Sequence, residues 1–249
     1  MRYFIEITYN GAAYCGWQIQ PNAESVQQVI EETMSTFFRQ AIKVVGAGRT
    51  DAGVHAKQLF AHFDMEEMVS VQNAIFRLNM FLPTDIAIVG IHPVVSDAHA
   101  RFHAVERAYE YKISTKKNPF SLGLAHTIQK MPDVVVMNQA AQLLFDYKDF
   151  QCFSRSKTNV KTYNCYIKKA LWEVTEEGLI FTIAADRFLR NMVRAIVGTM
   201  LDIGFGQTTL EEFKNIMEQK DRRNAGASAP ACGLYLTKVV YPTGIFIEK

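Results

Sequence analysis

Along roughly the first 95 residues the hydrophobic period changes in a set order, and few architectures accept that order. "RYFIEITY" alternates with Tyr3, Ile5, Ile7 and Tyr9 on one face, a strand. The loop "NGAAYCGWQIQPNA" follows, punctuated by glycines and one proline. "ESVQQVIEETMSTFF" then sets Val26, Val29/Ile30, Met34 and Phe37/Phe38 at helical spacing, with acidic residues near its start where the helix dipole favours them. "IKVVGAG" is extended, "VHAKQLFAHF" a strand, "SVQNAIFRLNMFL" a helix, and Pro83 opens the strand "DIAIVGIHPVV". The order is β-α-β-β-α-β, the split βαβ arrangement.

The remainder repeats it without a literal sequence repeat. "RAYEYKIST" alternates as a strand and "VVVMNQAAQLLFD" is helical. "TYNCYIKKALWEVTEEGLIFTIAA" is a hairpin turning at Glu176–Gly178. "RFLRNMVRAIVGTMLDIG" and "TLEEFKNIMEQ" are helices, and "GLYLTKVVY" is a last strand. The expected fold class is α+β: two similar halves, 1–104 and 105–249, with mixed, largely antiparallel sheets and a cleft between them. A length of 249 residues suits two such halves, and 49% apolar with 21% charged residues is the profile of a folded chain. Cys15, Cys152, Cys165 and Cys232 are far apart and form no C-x-x-C pair, which argues against zinc and for a reducing compartment. No apolar stretch approaches a membrane span, so no membrane partner is expected, and the chain reads as intracellular. A net charge of +2 permits a nucleic-acid partner without requiring one.

"GAGRTDAGVHA" is the candidate stretch for chemistry. The dinucleotide fingerprint needs a glycine where Asp51 stands, no P-loop lysine follows, and a carboxylate there would repel phosphate. Asp51 itself is the candidate working group: Gly46, Gly48 and Gly53 permit tight turns and close approach by a bulky substrate. Arg49 is two residues away and favours the ionised carboxylate. The competing reading is an Asx-turn with a surface ion pair to Arg49.

Arg187, Arg190 and Arg194 fall at i, i+3 and i+7, one side of the expected helix, and are either a phosphate-facing row or a solvated one. Tyr109 and Tyr111 share a strand face beside Arg107, as core or as a platform for an unstacked base. His99 and His103 lie four apart, but no H-E-x-x-H accompanies them, so no metal is expected. Lys116, Lys117, Lys157, Lys161, Lys168 and Lys169 scatter basic charge through the second half.

With these residues in view, "GRTDAGVHA" resembles the signature loop of the tRNA pseudouridine synthase I family, which modifies uridines 38, 39 and 40 of the tRNA anticodon stem-loop. "YNGAAYCGWQIQPNAESVQ", "ARFHAVERAYEYKI", "DFQCFSRS", "RFLRNMVRAIVG" and "PACGLYL" are similar to further segments of that family, in order, over nearly the full chain. The resemblance implies two α+β domains forming an RNA-binding cleft, a cytoplasmic homodimer in which one tRNA touches both subunits, and neither cofactor nor metal. It implies Asp51 as the catalytic aspartate with Arg49 in its loop, and Arg194 as the arginine that pairs with it. Tyr109 would pack on the target base, and Leu234 or Leu236 would help enclose it; from the arginine row, not from the resemblance, Arg187 and Arg190 are expected to be substrate-binding. Lys57 and Glu110 depart from the family's pattern. Loss of Asp51 would mark a catalytically silent tRNA-binding protein, and it is present. A nucleoside hydrolase would need clustered aspartates for calcium, which are missing.

Overall fold

The computed structural model describes residues 1–66, 68, 70–155 and 160–247; Lys157 lies outside them. Two compact units account for the chain, one formed by 1–106 with 236–249 and the other by 107–235.

In the first unit, β1 (Arg2–Tyr9) runs antiparallel between β3 (His55–Asp64) and β4 (Ile86–Val94). A short β2 (Val45–Gly46) also pairs with β3, and α1 (Val26–Phe38) and α2 (Val71–Phe81) supply the helices. The six-element order therefore follows the periodicities. Burial on β1 is not confined to its odd-numbered face: Phe4 is as inaccessible as Ile5 and Ile7, while Glu6 and Thr8 beside it are half-buried. Phe4 meets Phe60, Tyr241 and Phe246 ring to ring. Residues 236–240 of β9 (Leu234–Val240) lie beside β3, where Gln58 accepts from the Val239 amide at 3.0 Å. Burying each such apolar side chain contributes about 1.5–3 kcal/mol.

Two local expectations are corrected. No acidic residue stands in the first turn of α1; its start is fixed by Ser25, which accepts from the Gln28 amide at 3.3 Å. The extended run 42–48 is a paired strand only at Val45–Gly46. Its earlier amides go to helix side chains instead: Ile42 to Ser35 at 2.9 Å and Val44 to the buried carboxylate of Glu31 at 3.0 Å.

In the second unit, β8 (Gly178–Ala185) lies antiparallel between β5 (Glu106–Ser114) and β7 (Ile167–Thr175), with a two-residue β6 (His126–Thr127) parallel to β5. The β7–β8 hairpin turns where the sequence places it, with Gly178 at φ 149°. Its helices are α3 (Val134–Leu143), α4 (Met192–Gly204) and α5 (Leu210–Gln219). Among the described residues no helix is long and apolar enough to cross a membrane, and the four cysteines are in the thiol form, not in disulfides.

His62 on β3 is buried, accepts from the Ala100 amide at 3.2 Å, and its ring centre is 4.5 Å from that of His99. Burial, with His99 and Arg2 adding to it, pushes His62 down to about 4; burial lowers His99 as well. The unfolded chain therefore takes up protons from about pH 6.5 downward that the folded chain refuses, and stability present above that pH is lost as pH falls toward 4. Thermal melts should show Tm dropping by several degrees across this window, with a shallower drop in His62→Gln. Equal slopes for the two proteins would assign the acid sensitivity elsewhere.

Candidate active site

In the first unit the Asp51 loop is built from its backbone outward. The Asp51 carbonyl accepts from the Val54 amide at 3.2 Å, closing a turn in which Gly53 takes φ 76°. Thr50, just before, is buried: its hydroxyl lies 2.9 Å from the Tyr9 hydroxyl, and its carbonyl accepts from the Trp17 amide at 3.3 Å. The Gly53 amide reaches the Tyr14 carbonyl at 3.3 Å. Tyr14 is held in turn through its hydroxyl, which donates to Asp85 at 2.7 Å; burial and that carboxylate raise its pKa. His55, buried after the turn, accepts at Nδ1 from the Gly11 amide at 3.1 Å.

The glycines divide the labour. A Cβ on Gly46 would overlap the Trp17 indole, and Gly53 is needed for its positive φ. A Cβ on Gly48 would meet no described atom within 4 Å. Two glycines thus serve the protein's own packing, and one leaves open space three residues before Asp51. Asp51 is half-buried and Arg49 exposed.

In the second unit the arginines depart from the expected row. Asn191 adopts φ 67°, and α4 begins only at Met192. Arg187 and Arg190 therefore stand on the preceding turn, not on a face shared with Arg194. An asparagine tolerates the left-handed region, and its Nδ2 donates to the Ser228 hydroxyl at 2.6 Å. The apolar period continues upstream for other reasons: Leu189 is buried, and Phe188 meets the Tyr109 ring edge-on at 5.1 Å and 88°. The turn itself is fixed by Asp186, whose carboxylate accepts from the Arg187 amide at 2.8 Å and the Tyr166 amide at 2.7 Å. Arg190 is exposed and Arg187 half-buried.

Arg194 lies in the first turn of α4, where a cation opposes the helix dipole by about 0.3–1 kcal/mol. Its Nε donates to the Ala229 carbonyl at 2.7 Å, and the Ala229 amide returns a bond to the Arg194 carbonyl at 2.9 Å. Tyr109 faces Ile183 across the β5–β8 ladder and is half-buried, whereas Tyr111, two residues on, is fully buried with its hydroxyl on the Pro230 carbonyl at 2.8 Å. Tyr111 is thus core, and Tyr109 retains partial access. Leu234 and Leu236 are both buried; Leu234 belongs to the second unit and Leu236 to the first. Lys57 is exposed on β3 and Glu110 half-buried on β5; Lys116, Lys117, Lys161, Lys168 and Lys169 are exposed. His99 and His103 direct Nδ1 atoms to the backbone amides of Arg101 and His99, at 3.1 and 3.2 Å.

Residues 140–242 match the family model described as tRNA pseudouridine synthase. The tRNA pseudouridine synthase A of Parabacteroides distasonis is 51% identical, over 98% of each chain. That of Porphyromonas gingivalis is 50% identical over 99% of each, and that of Bacteroides thetaiotaomicron 48% identical over 100% of this chain and 93% of its own. The chain belongs to the tRNA pseudouridine synthase family.

Within this family member, sequence reasoning passed over the residues that hold the aspartate loop. Gly16 has φ 103°, and a Cβ on it would overlap the Thr50 carbonyl and approach the Asp51 carbonyl carbon at 3.0 Å. Tyr14 and Trp17 flank it. The available signal was their setting: two large aromatics and a glycine inside a stretch otherwise composed as a surface loop. Gly16→Ala should destabilise the fold by about 2 kcal/mol or more, while Gly48→Ala should stay within about 0.5 kcal/mol of the parent. Urea unfolding of the two variants measures both, and equal losses would refute this division of roles.

Proposed function

We propose that this chain isomerises uridine to pseudouridine in tRNA, with uridines 38, 39 and 40 of the anticodon stem-loop as its targets. The observation that carries the reading is identity near one half, along the whole chain, with relatives named tRNA pseudouridine synthase A. In the reaction the bond from C1′ to N1 breaks, the detached uracil turns, and C1′ joins C5. The C5 hydrogen leaves as a proton and N1 ends protonated. Nothing is oxidised and no water is consumed, so the chemistry asks for a carboxylate near the sugar and a pocket that retains the free base.

Asp51 is the proposed carboxylate, with Arg49 beside it in sequence and Arg194 as the cation that holds it charged. Its display on a main-chain-closed turn supports the role, because a preorganised side chain requires little rearrangement at the moment of reaction. Tyr109 packs on the base, its ring plane set by Phe188, and Leu234 or Leu236 helps enclose it. Arg187 and Arg190 meet RNA phosphates. The target base must leave its helix at a cost of a few kcal/mol in unstacking, and cationic contacts to the backbone offset that cost, so binding weakens steeply with salt. A cytoplasmic homodimer belongs to the same reading.

Tritium release from tRNA labelled at uridine C5 tests it directly, because joining C1′ to C5 must expel that hydrogen. The wild type should release label, and Asp51→Asn at matched concentration should release at least about a thousandfold more slowly, on the scale of losing a catalytic group. Substrates with a single labelled uridine at 38, 39 or 40 assign the positions. Tight binding without release from either protein would instead make this a silent tRNA-binding member of the family. Gly48→Val should lower kcat/KM with little change in Tm if the nucleotide enters over Gly48.

A further inference from the structure

The segment 225–229 that supplies the Ala229 carbonyl to Arg194 has no regular secondary structure of its own. It is nevertheless fastened on two sides. Toward α4, the Gly226 amide donates to the Thr199 hydroxyl at 3.0 Å, and Thr199 is fully buried. Gly198 allows this approach, since a Cβ there would overlap the Ala227 carbonyl; a Cβ on Gly226 would likewise crowd the Thr199 Cα at 3.0 Å. On the other side one guanidinium gathers the segment. Arg222 Nη1 donates to the Ala225 and Gly226 carbonyls at 3.2 and 3.0 Å, and Nη2 donates to the Ser228 hydroxyl at 3.0 Å. That hydroxyl also accepts from Asn191 Nδ2, the residue at which α4 begins.

We propose that Arg222 is a positioning residue for Arg194, fixing through residues 225–228 the Ala229 carbonyl that orients the Arg194 guanidinium. The inference rests on the role given to Arg194 above. A planar fork with several donors is suited to tying three acceptors of one loop at once, which a lysine cannot do with the same geometry. Removing it leaves two half-buried carbonyls and Ser228 without that donor, and the slack passes one residue further to the Arg194 anchor. Arg222 also borders a polar concavity of about 460 Å³ with Arg155, Tyr163 and Lys220. A direct contact from there to RNA is the competing role, and it would register in binding rather than turnover.

A double-mutant cycle on kcat separates these roles. Arg222→Ala should lower kcat about tenfold with KM within about twofold. In the Arg194→Lys background, which retains the cation but loses the Nε bond, the same change should cost under about twofold. Arg222→Lys should fall close to Arg222→Ala. Factors that multiply in the double variant would overturn the inference, as would a rise in KM with kcat unchanged. Should Arg222→Ala fail to fold, Ser228→Ala removes a single acceptor and carries the same cycle. An Arg194→Lys enzyme with the parent kcat would sink the reading of Arg194 and this inference together. A slow Arg194→Lys enzyme with an independent Arg222 effect would sink this inference alone.

Discussion

Thr50 stands immediately before Asp51, and both of its oxygens are engaged with the N-terminal segment: the hydroxyl with Tyr9, the carbonyl with the Trp17 amide. Tyr9 closes β1, the strand paired along both edges, with β3 and with β4, in the first unit. The position of the aspartate backbone is thereby tied to the end of that strand. Residues 10–17 make the tie possible because Gly16 lets their backbone approach Thr50 more closely than any Cβ would permit. A hydroxyl–hydroxyl bond with no water between the partners contributes only about 0.5–1.5 kcal/mol. Leaving either oxygen buried and unmade would cost about 1–3 kcal/mol, so the geometry is specified by avoidance as much as by attraction.

Glu31 extends the same logic upstream. Its buried carboxylate takes the Val44 amide at 3.0 Å, Lys43 at 2.8 Å and the Gln27 side chain at 3.0 Å. The chain is therefore held at residues 43–44 before it enters the loop and at 53–55 as it leaves. Loops carry function best when their ends are fixed by a rigid scaffold, and here the scaffold grips both ends of a stretch of about ten residues.

Much of this was legible in sequence, and the remainder has physical reasons. Elements with a strong period stand where the period places them: β1, β3, β4, the β7–β8 hairpin and α5, whose start is marked by the Thr209 and Glu212 capping box. Periodicity misplaced the start of α4 by five residues because Phe188 and Leu189 are apolar on account of Tyr109 and the core, not of a helix face. Asn191 was the available stop signal, and it is weak, since most asparagines are not left-handed. The return of residues 241–247 to β4, with Val95 bonding Ile245 and Ile247 bonding Pro93, has no local signature. Asp51 was singled out in the sequence as a candidate, a carboxylate set among three glycines and near an arginine. Its supports were not, because Thr50, Tyr9 and Gly16 are ordinary residues until the chain brings them together.

A common choice is visible in how the two candidate groups are held. Within the first unit, the bonds that set the backbone around Asp51 come from Tyr9, Trp17, Tyr14 and Val54, all neutral donors or acceptors. Within the second, the Arg194 Nε is aimed by the Ala229 carbonyl. A carbonyl orients a guanidinium through one N–H and leaves its net charge intact. A carboxylate at that place would bond more strongly and neutralise it. Each of these orienting bonds is made by a neutral group. Arg222, a cation, is placed one step further back, where its charge falls on carbonyls and a hydroxyl rather than on Arg194.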